Sequence, residues 1–198
     1  MTPPLVSVRV ITYNHEKYIK TTLDSILAQK TTFPFEIIIG EDCSTDNTRS
    51  ILLDYSNRYS NIKLILSDIN IGANLNERRT RLACTAKYIA WMDGDDYWID
   101  EYKLQKQVEF LEINPDYSVC FSNAYYVEGD QQTARTFNLD KTNMTFNGVD
   151  ILNKWLISNS SVVYRNHLFE EPSFFYRSTL VDLGVLLMVS EYGKIFYF

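Results

Sequence analysis

The stretch YIAWMDGDDYW, residues 88–98, sets an apolar run against three carboxylates, Asp93, Asp95 and Asp96, within four residues. Like charges packed so closely repel one another. Two settings relieve that repulsion. An Asp-x-Asp presents hard oxygen ligands with little backbone travel between them. Mg²⁺ or Mn²⁺ takes one or two such carboxylates together with substrate phosphates, and so also offsets charge on a leaving diphosphate. The other setting is plain hydration, because DGDD is equally good turn sequence.

Three more polar clusters carry chemistry of the same ambiguous kind. In GEDCSTDNT (40–48), Asp42 follows an apolar run, where its carboxylate can accept from a base N–H or a ribose hydroxyl. Ser44, Thr45 and Asp46 also suit the start of a helix, as caps and first-turn acid. TYNH (12–15) offers a ring to stack, Tyr13, and an amide to bond, Asn14. ERR (77–79) is a basic point in an acidic chain: Arg79 can meet a diphosphate, or the whole triplet can be a solvated helix face.

The elements that must position these residues are legible from periodicity. LVSVRVI (5–11), FEIIIG (35–40), IKLILS (62–67) and YIAWM (88–92) are short, apolar and rich in β-branched residues, and read as strands. Between them lie segments with apolar residues at helical spacing, such as Tyr18, Ile19, Leu23, Ile26 and Leu27. The order β-α-β-α-β-α-β, with strands apolar on both faces, predicts an α/β fold with a mostly parallel central sheet flanked by helices. In such sheets ligands bind beyond the carboxyl ends of the strands, which is where TYNH, EDCSTD, SDINIG and DGDD fall. Beyond residue 103 the expected elements are a helix ended by Pro115, a strand over 118–128 and an irregular stretch over 129–147. A short helix (148–157), a short strand (160–165), a helix (178–193) and a final strand, KIFYF, follow.

Bulk properties bound the function. The 198 residues suffice for one domain, and 45% apolar with 22% charged residues is ordinary for a globular protein. A formal net charge of −6 argues against a nucleic-acid partner. Cys43, Cys84 and Cys120 are odd in number and lack metal-type spacing, which favours a reducing compartment. His15 and His167 are too few and too far apart for a zinc site. The opening MTPPLVSV lacks the pattern of a signal peptide, and no apolar run reaches about 18 residues. The sequons at Asn143 and Asn159 are then without consequence in a cytoplasmic protein.

Taken in order, VSVRVITYNHEKYIKTTLDSILAQ, FEIIIGEDCSTDNT, NIGANLN, KYIAWMDGDDYW and KLQKQVEFLEINPDYSVCFSN resemble the family 2 glycosyltransferases, from Val6 to about Asn123 and more weakly to the last residue. The resemblance implies the A-type glycosyltransferase fold, with residues 1–115 as the nucleotide-sugar-binding half and 116–198 as the start of an acceptor-binding half. It implies a nucleotide-diphosphate sugar donor, such as a UDP-sugar, a Mn²⁺ or Mg²⁺ cofactor, and inversion at the anomeric carbon. Thr12, Tyr13 and Asn14 resemble the first nucleotide-contacting loop. Asp42 resembles the acid that reads the base, with Glu41 where the family often has a second Asp. Arg79 lies where the family often has a diphosphate-facing arginine. Asp93 and Asp95 resemble the family's Asp-x-Asp, with Asp95 as the direct metal ligand and Asp93 as a ribose contact or an outer partner of the metal. Asp182, in STLVDLGVLLMVSEYG, matches the acid that opens a helix well after the metal motif and serves as catalytic base. Its neighbours Val181 and Leu183 depart from the family's more frequent Glu or Trp.

The implied role is building a bacterial surface polysaccharide on a glycan or lipid-linked acceptor. The implied location is the cytoplasm, with peripheral contact to the inner membrane face and homo-oligomer formation both compatible. Family members usually continue past a segment like GKIFYF, so the rival reading is a nucleotide-sugar-binding module that does not complete transfer. A nucleotidyltransferase or a Rossmann dehydrogenase is disfavoured, since no glycine precedes Gly40.

Overall fold

The computed structural model describes residues 2–128, 131–136, 143–154, 156–172, 175 and 180–198. Val6, Val8 and Val10 are buried on one face of the first strand, β1 (Val6–Thr12), and Ser7 and Arg9 on the other. A strand buried on both faces must be covered by helices on both, and it is. Helix α1 (Ile19–Leu27) leads to β2 (Phe35–Glu41), α2 (Thr48–Arg58) to β3 (Ile62–Leu66), and α3 (Ala73–Leu82) to β4 (Tyr88–Asp93). Then come α4 (Lys103–Ile113), β5 (Tyr117–Phe121), β6 (Tyr125–Glu128), β7 (Gln131–Thr136), β8 (Met144–Phe146) and α5 (Gly148–Asn153). A 3-10 turn (Asn159–Ser161), β9 (Val163–Arg165), α6 (Val181–Ser190) and β10 (Lys194–Tyr197) complete the described chain.

Eight strands form one sheet in the order β3-β2-β1-β4-β9-β5-β10-β8, and β6 pairs with β7 apart from it. Strands β1 to β4 pair in parallel, as do β5 and β10; β9 and β8 run against their neighbours. The chain moves outward from β1 to β3 and then returns to place β4 on the other side of β1. That reversal opens a crevice between the carboxyl ends of β1 and β4, the usual ligand position in open α/β sheets. One buried cluster joins Val6, Val8 and Val10 to α1 and α4 through Leu23, Ile26, Leu104 and Val108. The other joins Trp91, Val119 and Tyr164 to α6 through Val185, Leu186 and Val189.

Helix α3 covers the second face next to β1 and β2, and it does so with polar residues. Asn76, Glu77, Thr80 and Arg81 are buried, while Leu75 and Leu82 are exposed. Gly40 permits the close approach: a Cβ there would lie 1.9 Å from Thr80 Oγ1, and Asn76 Nδ2 donates to the Gly40 carbonyl at 2.8 Å. Gly40→Ala should therefore destabilise the fold by about 1–3 kcal/mol, read as a fall in melting temperature.

Several sequence expectations are corrected. The strand expected over 118–128 is two strands in different sheets; they part at residues 122–124, where Asn123 Oδ1 accepts from the Ala124 N–H at 2.9 Å in place of a ladder bond. The irregular stretch over 129–147 contains β7 and β8; residues 129–130 and 137–142 lie outside the described residues. Helix α2 starts later than the Ser44–Thr45 cap predicts. Asp46 instead accepts from the Thr48 N–H at 2.9 Å and the Glu16 N–H at 3.0 Å.

Lys103, in the first turn of α4, is buried over the Trp98 ring at 4.5 Å and donates to Gln107. Burial pushes its pKa down to about 7 from an ordinary 10.5. Below pH 7 both folded and unfolded chains hold this proton, and the fold bears the full cost of a buried ammonium. Between pH 7 and 10.5 the folded chain loses it first, so the cost fades as pH rises. Lys103→Met should accordingly stabilise the chain by about 1–2 kcal/mol at pH 6, with the gain shrinking toward pH 10. Thermal melts of both chains across that range check it.

Candidate active site

A cavity of about 410 Å³ opens at the β1–β4 crevice. The end of β1 contributes Ile11, Thr12, Tyr13 and His15; the end of β2 contributes Asp42. Asn70 and Gly72 come from the loop before α3, Ala73 and Asn76 from α3 itself, and Asp93 and Asp95 from the end of β4. All four polar strand ends thus border one space.

The first two loops are stapled together. Asn14 takes a left-handed backbone (φ 56°), which turns the chain sharply after Tyr13. Its N–H donates to Ser44 Oγ at 3.0 Å, and its Oδ1 accepts from the Thr45 N–H at 2.8 Å. Asn14 therefore spends its side chain on loop geometry and does not line the cavity. Asp42, only 2% exposed, accepts from the Ile71 and Gly72 N–H groups, each at 2.9 Å. That fixes the loop entering α3, where Gly72 adopts a φ of 86°. Each oxygen keeps further acceptor capacity toward the cavity. Glu41 points elsewhere: fully buried, it accepts from Arg49 Nε at 2.6 Å and the Ser44 N–H at 2.5 Å.

Arg79 is not brought to the cavity. Its Nη2 donates to the Glu41 carbonyl at 2.8 Å, its Nε to Asn76 Oδ1 at 2.9 Å, and its Nη1 lies 3.4 Å from the Leu66 carbonyl. The guanidinium ties the carboxyl ends of β2 and β3 to α3.

The DGDD segment forms a tight turn with divided duties. The Gly94 N–H donates to the Ile11 carbonyl at 2.9 Å, extending the β1–β4 ladder by one bond. A Cβ on Gly94 would sit 2.7 Å from both His15 Nδ1 and Thr12 Oγ1, so only glycine lets these side chains press against the turn. Asp96 accepts from Ser160 Oγ at 2.5 Å, and Ser160 Oγ also accepts from the Asp93 N–H at 3.2 Å. The 3-10 turn thereby braces the motif from outside. Asp95, with its side chain 52% exposed, projects into the cavity.

Asp93 is the more strongly perturbed carboxyl; burial also raises the pKa of Asp96, against the Ser160 hydrogen bond that lowers it. Burial pushes the Asp93 pKa up to about 7; Asp182, Asp96 and Asp95 push the same way, and only Arg9 opposes them. Arg9 is fully buried beneath, one side-chain step back along the same face, with its guanidinium 5.1 Å from the Trp91 ring centroid. None of its three nitrogens has a hydrogen-bond partner among the described residues. Burial disfavours its charge, yet the nearby carboxylates of Glu77, Asp93 and Asp182 outweigh that and raise its pKa. Glu77 in turn accepts from Arg81 Nε at 3.0 Å, and Arg81 pairs with Glu171.

Asp182 sits in the first turn of α6, where Asn159 Nδ2 donates to it at 2.7 Å. It borders Asp93 electrostatically rather than lining the cavity. Sequence reasoning did not single out Arg9, Asn70, Asn76 or Ser160, set His15 aside as a zinc ligand and gave it no other role, and read Asn159 only as a sequon.

The donor set suits a hard cation that shares its ligands. No three His, Cys, Asp or Glu side chains gather around one point among the described residues. Two carboxylates beside an open cavity leave the remaining ligand positions to phosphate oxygens and water, as Mg²⁺ and Mn²⁺ prefer.

The family model for glycosyl transferase family 2 matches residues 7–174. An uncharacterized protein of Mycobacterium tuberculosis is 36% identical over 170 residues, covering 85% of this chain and 48% of its own length. The putative teichuronic acid biosynthesis glycosyltransferase TuaG of Bacillus subtilis is 39% identical over 108 residues, covering 54% and 42%. The chain thus spans about half the length of the curated relatives it matches. Among solved structures, S. aureus TarS 1–349 in complex with UDP superposes with a TM-score of 0.75 at 24% identity, covering 98% of this chain and 57% of that one. At that identity the likeness speaks for the fold, the A-type glycosyltransferase architecture that the family resemblance implies. With the family model spanning most of its length, the chain belongs to glycosyl transferase family 2.

Proposed function

We propose that this chain holds the donor site of a metal-dependent, inverting glycosyltransferase. It moves a sugar from a nucleotide-diphosphate sugar, most simply a UDP-sugar, to a glycan or lipid-linked acceptor of a bacterial surface polysaccharide. The observation that carries this reading is the cavity at the β1–β4 crevice, bordered together by Tyr13, Asp42, Asp93 and Asp95. The naming of TuaG as a putative teichuronic acid biosynthesis glycosyltransferase and the UDP bound to TarS agree with it.

In this reading Tyr13 stacks on the base and Asp42 accepts its N–H, while Thr12 and Asp93 border the ribose. Asp95, with Asp93, holds the cation, which when bound neutralises the diphosphate as it leaves. Asp182 takes the proton from the acceptor hydroxyl as it attacks the anomeric carbon. Asn159 orients that carboxylate, and Arg9 supplies the fixed positive charge that Asp93, Asp182 and Glu77 share. Residues 1–115 form the nucleotide-sugar half and 116–198 the start of the acceptor half. No helix among the described residues is long and apolar enough to cross a membrane.

A thermal-shift panel of nucleoside diphosphates with and without Mn²⁺ tests the reading. UDP with Mn²⁺ should raise the melting temperature well above either alone. No cation-dependent shift with any common nucleoside diphosphate would refute it.

A further inference from the structure

A donor diphosphate must enter a cavity already lined by Asp42, Asp93 and Asp95. One divalent cation offsets only two charges. Among the described residues lining that cavity, His15 is the only side chain with a ring N–H to offer a phosphate oxygen, a donor that adds no negative charge of its own. Arg79, the residue the motif reading assigns to the diphosphate, has its guanidinium committed to the Glu41 carbonyl and Asn76.

The placement of His15 is built. Its N–H donates to Thr48 Oγ1 at 2.8 Å, and its carbonyl accepts from the Tyr18 and Ile19 N–H groups, each at 2.9 Å. The left-handed Asn14 aims the ring back toward the Asp-Gly-Asp turn, and the missing Cβ of Gly94 leaves it room. There Nδ1 lies 3.3 Å from Thr12 Oγ1 and Nε2 lies 4.0 Å from Asp95 Oδ2. The second distance is too long for a hydrogen bond. It suits two groups that address the same phosphate, one directly and one through a cation.

We propose that His15 is a diphosphate-binding and catalytic residue of this site: Thr12 Oγ1–H donates to Nδ1, and Nε2–H donates to an oxygen of the donor's distal phosphate. This rests on the glycosyltransferase reading above. When the bond between the anomeric carbon and the phosphate oxygen breaks, its electron pair stays on that oxygen. The acceptor oxygen bonds to the carbon and its proton passes to Asp182. A donor aimed at the leaving oxygen gains strength as charge grows there.

Calorimetric titration of UDP and UMP in the presence of Mn²⁺ tests this; GDP and GMP replace them if the wild type prefers guanine. His15→Ala should weaken the diphosphate about 10-fold, the loss expected for one charge-assisted hydrogen bond, and leave the monophosphate unchanged. His15→Asn, whose amide reaches only the Nδ1 position, should behave like His15→Ala. His15→Gln, whose amide reaches the Nε2 position, should recover most of the affinity. Equal weakening of diphosphate and monophosphate would mean the ring only shapes the loop, and an unchanged diphosphate affinity would mean no contact; either overturns the assignment while the wild type still binds. A wild type that binds neither nucleotide with any cation overturns the glycosyltransferase reading as well.

Discussion

Asp95→Ala should abolish the rise in melting temperature that UDP and Mn²⁺ together give the wild type. At a ligand concentration near 100 times its dissociation constant, linkage contributes about 2.7 kcal/mol. For a chain of this size that is a shift of roughly 5–10 °C. Among the described residues Asp95 makes no hydrogen bond that the fold depends on; His15 Nε2 lies 4.0 Å away, and half of the Asp95 side chain faces solvent. The unliganded variant should therefore melt close to the wild type, which separates a lost ligand from a damaged fold. Asp96→Ala is the contrasting case. Its carboxylate accepts from Ser160, so its loss should lower the unliganded melting temperature and leave a reduced nucleotide shift. A full shift retained in Asp95→Ala would remove that carboxylate from the site.

Asp182→Asn should keep donor binding and lose transfer by about 10²–10⁴-fold, the range for removing a positioned general base. The substitution is nearly isosteric, and the amide oxygen still accepts from Asn159 Nδ2, now at 2.7 Å from the carboxylate. What disappears is the negative charge beside Asp93 and Arg9. Steady-state transfer with the matched donor, alongside UDP binding by calorimetry, distinguishes the outcomes. Transfer near the wild-type rate excludes Asp182 as the base. Donor binding in a wild type that transfers and hydrolyses nothing supports the rival reading of a binding module.

What the chain discloses before folding is local. Each of the four parallel strands is a short apolar run closed by a polar cluster, so both the sheet and the edge where chemistry gathers were readable from one-dimensional pattern. The crevice follows from strand order, which needs only that the chain return past β1 to form β4. Other features depend on pairs of distant residues and leave no periodic trace. Arg9 looks like a flaw in an apolar strand until α3 places Glu77 beside it, and α3 itself hides a polar face because Gly40 lets it sit against the sheet. Arg79 reads as a phosphate ligand in sequence, yet the carbonyls at the ends of β2 and β3 reach it first. His15 becomes a site residue only through a left-handed Asn14 and the missing Cβ of Gly94. The break between β5 and β6 is by contrast local, with the Asn123 side chain accepting from the next residue's N–H, a contact that strand propensity does not register.

The most direct measurement is a crystal structure of the chain with UDP and Mn²⁺. The account predicts the uracil against Tyr13 and Asp42, the cation on Asp95, and the distal phosphate within hydrogen-bond distance of His15 Nε2. A nucleotide bound outside the β1–β4 crevice, or within it with no cation at Asp93 or Asp95, would contradict the account.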